Sequence, residues 1–106
     1  MGHETLGEYR HDPYKEYVEN EERKSVVIPL LKTGFLAYLS AKKDGAGPID
    51  CFTQAREYAQ QRTPLMIDHA DVQSAFYSLV NHRYLEWTAT LVFITPSGTQ
   101  HLKESL

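Results

Sequence analysis

The chain has 106 residues, of which 42% are hydrophobic and 24% charged, with a formal net charge of −3. That length supports one modest core, and the composition excludes an intrinsically disordered chain. No apolar run approaches the about 20 residues of a membrane-spanning helix, and the one cysteine, Cys51, excludes an internal disulfide and a CxxC metal knuckle.

The charge is unevenly placed. Residues 1–28 carry seven acidic and four basic side chains, whereas residues 29–106 carry seven of each. This divides the chain into an acidic N-terminal arm and helix, 1–28, and a neutral domain, 29–106. The N-terminus has no hydrophobic signal segment, and Leu6 stands where a myristoylation signal after Met1-Gly2 carries Ser or Thr, so the reading is cytoplasmic. Residues 1–11 lack apolar periodicity and read as a mobile arm. Asp12 and Pro13 then offer a cap and a first helical residue for a helix to about residue 24, with Tyr14, Tyr17 and Val18 on one side.

Val26, Val27 and Ile28 before Pro29 predict a break, because the residue before a proline is pushed out of the helical region. A second helix over residues 29–43 is apolar nearly all round, and Gly34 in its middle marks a close helix–helix approach. The run Asp44-Gly45-Ala46-Gly47-Pro48 ends it, leaving Ile49 in a short strand or extended link. Asp50 then caps a helix over residues 51–61. Its core face is Phe52, Ala55, Tyr58 and Ala59, and its outer face is Gln54, Arg56, Gln60 and Gln61. Residues 63–67 make a link longer than the three or four residues usual in a helix-turn-helix, with its apolar side chains expected in the core.

Asp68 caps the next helix, over residues 70–83, in which Val72, Ala75, Phe76, Leu79 and Val80 share one face. Gln73, Ser74, Tyr77, Ser78 and Asn81 share the opposite face. All are polar and none is charged. Such a face is either plain solvated surface or a reader of base edges, since Gln and Asn can each make paired hydrogen bonds to adenine. Two β-prone runs, 84–87 and 91–94, follow, separated by Thr88-Ala89-Thr90, with Trp87 read as a core or dimer contact. Thr95 and Pro96 start a last helix to Leu106.

A helix, then His82-Arg83-Tyr84-Leu85-Glu86-Trp87, a short ribbon, and Phe93-Ile94-Thr95-Pro96-Ser97-Gly98 resembles the closing half of winged helix-turn-helix regulators of the MarR and PadR type. Those often end the recognition helix in a glycine followed by an aromatic or aliphatic residue and resume with an LTxxG phrase. Leu85 and the run from Ile94 to Gly98 match, while His82 and Arg83 stand where a glycine is common. The resemblance covers residues 29–106. It implies a mainly α fold with a small β-ribbon, a winged helix-turn-helix domain with an additional N-terminal helix.

By that resemblance the chain is a homodimeric transcriptional regulator that binds double-stranded DNA. Gln73, Ser74, Tyr77, Ser78 and Asn81 would read bases, and Arg56, Gln60 and Arg83 would contact the backbone. Tyr14, Tyr17, Val18 and Leu102 would form the dimer interface. The competing reading is a winged-helix protein-interaction module without DNA binding, which the neutral domain and the uncharged turn favour. The positions of Lys32, Lys42, Lys43, Arg56, Arg62, Arg83 and Lys103 discriminate: gathered around the uncharged helix face they favour DNA, and scattered they favour a protein partner. The five histidines form no HxxxH pair, Cys51 has no arguable base, and Gly45-Ala46-Gly47 is too short for a phosphate loop. No catalytic residue, metal site or cofactor is therefore assigned, and no effector is named by the sequence.

Overall fold

The break predicted at Pro29 is absent. In the computed structural model, which describes residues 13–105, one helix, α1, runs Pro13–Ser40. The arm read over residues 1–11 lies outside the described residues, as does Leu106. A proline inside a helix removes one N–H and crowds the carbonyl four residues earlier, a cost of about 3 kcal/mol. Pro29 lies on the exposed side, where water can serve that carbonyl, while Val27, Leu31, Phe35 and Leu39 form a fully buried stripe on the other side. Each such side chain contributes about 1.5–3 kcal/mol on burial, so the stripe outweighs the proline. The boundary read at residues 28 and 29 falls inside this helix.

The order continues with α2 (Pro48–Gln60), α3 (His69–Asn81), β1 (Leu85–Trp87), β2 (Val92–Ile94) and α4 (Pro96–Ser105). The fold is mainly helical with one small antiparallel two-stranded sheet. The 28 residues of α1 span about 42 Å at 1.5 Å per residue. Its second half is the axis on which α2, α3, α4 and β2 pack. Among the described residues no helix is long and apolar enough to cross a membrane.

Gly34 sets the α1–α2 distance. A Cβ there would stand 3.0 Å from both the Ala55 carbonyl oxygen and the Tyr58 Cβ, so the helices meet backbone to backbone. One phenylalanine from each of α1, α2 and α3 meets at the centre, with ring centroids 5.6 Å apart for Phe35–Phe52, 5.5 Å for Phe35–Phe76 and 5.1 Å for Phe52–Phe76. Helix α2 starts earlier than predicted, with Gly47 as N-cap and Pro48 at the first helical position. Asp50 is a first-turn residue instead of the cap, and Ile49 is helical and 80% exposed. The strand-like link is Ala46, whose N–H donates to the Val92 carbonyl at 3.0 Å and whose carbonyl accepts from Val92 at 2.8 Å. Cys51 is buried, and burial followed by the Asp50 charge pushes its thiol up to about 11.

The link between α2 and α3 sends only Ile67 into the core; Leu65 and Met66 remain exposed. Arg23 of α1 holds this segment in place. Its Nη1 donates to Asp71 Oδ2 at 2.5 Å and to the Met66 carbonyl at 2.7 Å, and its Nη2 donates to Asp71 Oδ1 at 3.3 Å and Asn20 Oδ1 at 3.0 Å. Asp71 also accepts the Asp68 N–H at 2.9 Å, closing the N-terminus of α3, which Asp68 caps as predicted. The carboxylate is 2% exposed and the guanidinium 15%. Burial by itself raises the Asp71 pKa, but the hydrogen bonds from Arg23 and the Asp68 N–H and the positive charges of Arg23 and Lys24 bring it below the ordinary value.

Strands β1 and β2 pair as Leu85 with Ile94, Glu86 with Phe93, and Trp87 with Val92. The turn holds four residues, 88–91, because the Thr88 N–H donates to the Leu91 carbonyl at 2.9 Å. Thr95 Oγ1 donates to the carbonyls of Arg83, at 2.7 Å, and Tyr84, at 3.1 Å, sharing one hydrogen, and it accepts the Gly98 N–H at 3.0 Å. Gly98 is required here, since a Cβ would collide with the Tyr84 carbonyl oxygen. Helix α4 thereby locks to the foot of the ribbon and buries Leu102 in the core. Leu102, read at a dimer interface, is buried within its own chain, where the last helix turns its apolar face inward.

Removing Arg23 strands a buried carboxylate. Arg23→Met is expected to cost about 3–5 kcal/mol in urea unfolding, and Arg23→Met with Asp71→Leu to recover more than half of it, since no charge then stays buried. The Asp71 pKa is depressed in the fold, so its contribution is complete above the ordinary value of 3.8 and is lost as pH falls through the folded value. Parent stability should therefore drop on acidification more steeply than that of Asp71→Asn.

Candidate functional site

Helix α3 divides cleanly. Val72, Ala75, Phe76 and Leu79 are buried, whereas Gln73, Ser74, Tyr77 and Asn81 are exposed and Ser78 is half-buried. The five residues assigned to base reading thus share one surface face, as their spacing predicts. The ribbon is fastened beside it: Trp87 of β1 lies edge-on against Phe76, with centroids 5.4 Å apart at 72°. Tyr77 and Trp87 are 48% and 46% exposed with centroids 6.4 Å apart, an aromatic pair on the surface. Trp87 is therefore neither fully core nor detached from α3. Periodicity could not reveal this pair, because it joins a helix to a strand.

Grooves flank both ends of α3. Near its N-terminus Arg56 and Gln60 of α2 line a groove of about 520 Å³ together with Glu57 and His69. Near its C-terminus Asn81, Arg83, Glu86, Trp87 and Thr95 line one of about 610 Å³. Each groove places one of the assigned backbone-contacting arginines beside a carboxylate. The other five cations of residues 29–106 lie elsewhere. Lys42 Nζ is 5.3 Å from the Tyr38 ring centroid, the Arg62 guanidinium stacks 3.5 Å from that of Tyr58, and Lys32 lines a smaller cavity with Ser78 and Leu79 at the edge of α3 and with His82 and His101. The seven cations are spread over α1, α2, α4 and three turns, and three of them, Lys32, Arg56 and Arg83, line cavities that border α3. On α1, Tyr14 and Tyr17 are 76% and 62% exposed, and Val18 is half-buried.

The exit from α3 explains the departure from glycine at His82 and Arg83. His82 is the C-cap, the Arg83 N–H donates to the Val80 carbonyl at 3.0 Å, and the Tyr84 N–H donates to the Leu79 carbonyl at 2.9 Å. This is the Schellman arrangement, whose residue after the cap adopts the left-handed conformation that glycine favours. Arg83 occupies it with φ of +63°. An L-residue there costs about 1–2 kcal/mol, a strain carried at the mouth of the groove.

The chain matches no protein-family model, no curated protein and no solved structure.

Arg83→Gly relieves the strained φ at some cost in unfolded-chain entropy. It should raise stability by about 0.5–1 kcal/mol, read as a higher Tm, whereas Arg83→Val at the same site should lower it. Equal melting temperatures for the two variants would show that the turn relaxes without strain.

Proposed function

We propose that residues 29–106 form a winged helix-turn-helix domain that binds double-stranded DNA as a homodimeric transcriptional regulator, with α3 in the major groove. The observation that carries this reading is the uncharged polar face of Gln73, Ser74, Tyr77, Ser78 and Asn81, exposed but for the half-buried Ser78, on a helix whose other face buries Val72, Ala75, Phe76 and Leu79. Gln73 and Asn81 have the donor–acceptor pair that matches an adenine edge. Arg56 and Gln60 at one end and Arg83 at the other are placed for backbone phosphates. The strain retained at Arg83 favours a role for its side chain over a purely structural one. The exposed Tyr17 and half-buried Val18 of α1 offer the dimer contact.

A second reading has its own support. The Tyr77–Trp87 pair sits beside Arg83 and Glu86, and aromatic and arginine side chains are the usual anchors of protein interfaces. The scattered cations favour it too. In this reading α3 and the ribbon dock a partner chain, and DNA is not bound.

Fluorescence anisotropy with pooled duplex DNA across a salt series separates the two. Two arginines per protomer give a shallow slope of log affinity on log salt, about −2 per protomer. Gln73→Ala and Asn81→Ala should each cost about 1–3 kcal/mol at the preferred sequence and relax preference, while Arg83→Gly should weaken all sequences alike and flatten the slope by about 1. Absence of binding at low salt would remove DNA and leave the interaction module. Light scattering should give twice the 12.2 kDa chain mass; a monomer at high concentration would remove the dimer.

A further inference from the structure

His82, Tyr84 and His101 stack in a row. The ring centroids of His82 and Tyr84 are 5.8 Å apart at 15°, and those of Tyr84 and His101 are 4.3 Å apart at 11°. They come from the end of α3, the turn after it, and α4. Beside them is a cavity of about 170 Å³, completed by Lys32 of α1 and by Ser78 and Leu79 of α3. That volume is below the about 300 Å³ at which sites for drug-sized molecules begin, so the occupant is a small group.

The lining has one sign of charge. Lys32 comes from α1, His82 from the C-cap of α3, Tyr84 from the turn and His101 from α4, and among the described residues no carboxylate lines the cavity. Among the described residues no carboxylate pairs with Lys32. Glu104, one turn beyond His101 on α4 with Lys103 beside it, accepts a hydrogen bond from Gln100 Nε2 at 3.2 Å. A metal finds too few ligands, since among the described residues no three His, Cys, Asp or Glu side chains converge.

The lining is also held in place. The Tyr84 backbone is fixed by its N–H to the Leu79 carbonyl and by the Thr95 N–H donating to its carbonyl at 3.0 Å. His82 Nδ1 lies 2.7 Å from the Ser78 carbonyl, which can only accept, so Nδ1 carries the hydrogen. The neutral ring then leaves Nε2 without one, and protonation makes that atom a donor as well.

We propose that this cavity binds a phosphate group or an oxyanion of similar size. Lys32 and the protonated imidazoles of His82 and His101 supply the charge, and the Ser78 hydroxyl supplies a neutral donor. Anion binding and protonation of the two rings therefore favour one another. The same chemistry has two sources, a free phosphate compound and a phosphate of the nucleic-acid backbone, as Ser78 lies at the border of the α3 outer face. The site does not depend on the DNA reading.

The test is a titration of the full chain with inorganic phosphate, with chloride replaced at constant ionic strength, following the histidine ring proton resonances. His82 and His101 should shift to saturation while His69, beside Phe52 on the far end of α3, stays still. Sulfate, whose own charge does not change between mildly acidic and mildly alkaline buffer, should bind more tightly in the acidic one. Lys32→Gln and His101→Gln, both at partly exposed positions, should each weaken binding about tenfold, or about 1.4 kcal/mol. A short duplex that moves the two histidines where phosphate does not would support the site with DNA as its source. Shifts at His69 equal to the others, parental affinity in both variants, or no response to either probe would each overturn the proposal.

Discussion

The placement of α3 depends on one buried ion pair. Arg23 lies one turn before Val27 on the stripe that continues through Leu31, so the charged residue occupies the next position of a hydrophobic row. Because α1 is unbroken at Pro29, the phase of Arg23 is set by the core beneath Val27 and Phe35. Its guanidinium joins α1 to the Met66 carbonyl and to Asp71, and Asp71 in turn closes the cap at Asp68. One planar group with several donors therefore fixes where the linker ends and where α3 begins. A lysine could supply the charge but not this fork of contacts.

From that anchor the outer face of α3 follows with little freedom. Phe76 is held by Phe35 and Phe52 on one side and carries Trp87 on the other, so core and ribbon are registered to the same ring. Val92 joins the ribbon to Ala46, and Gly98 presses α4 against Tyr84. The same contacts shape the grooves at the two ends of α3. Their balanced charges, Arg56 with Glu57 and Arg83 with Glu86, imply modest electrostatic steering, so affinity for any partner must rest on shaped contacts.

Much of this was legible in the sequence because the signals are local. The apolar rows of α1, α2 and α3, the Asp68 cap, the Thr95-Pro96 start and the close approach at Gly34 each rest on neighbours within a turn or two. What was not legible depends on partners distant in sequence. Pro29 breaks a helix in isolation, and only the buried stripe overrules it. Arg23 and Asp71 are 48 positions apart, so each reads as a solvated charge. Leu102 looks surplus until Gly98 brings α4 close enough to bury it. The face of α3 was readable by period alone, whereas the Tyr77–Trp87 pair and the His82–Tyr84–His101 row needed the ribbon and α4 in place.

The most direct test of the central claim is the side-chain amide resonances of Gln73 and Asn81, recorded with and without a duplex of preferred sequence at low salt. If α3 reads bases, both NH₂ groups shift and exchange more slowly as they enter hydrogen bonds with base edges, and the Trp87 indole changes less. Unmoved Gln73 and Asn81 amides in a saturated complex would contradict the account, because the face that the Arg23–Asp71 pair positions would then not touch the DNA.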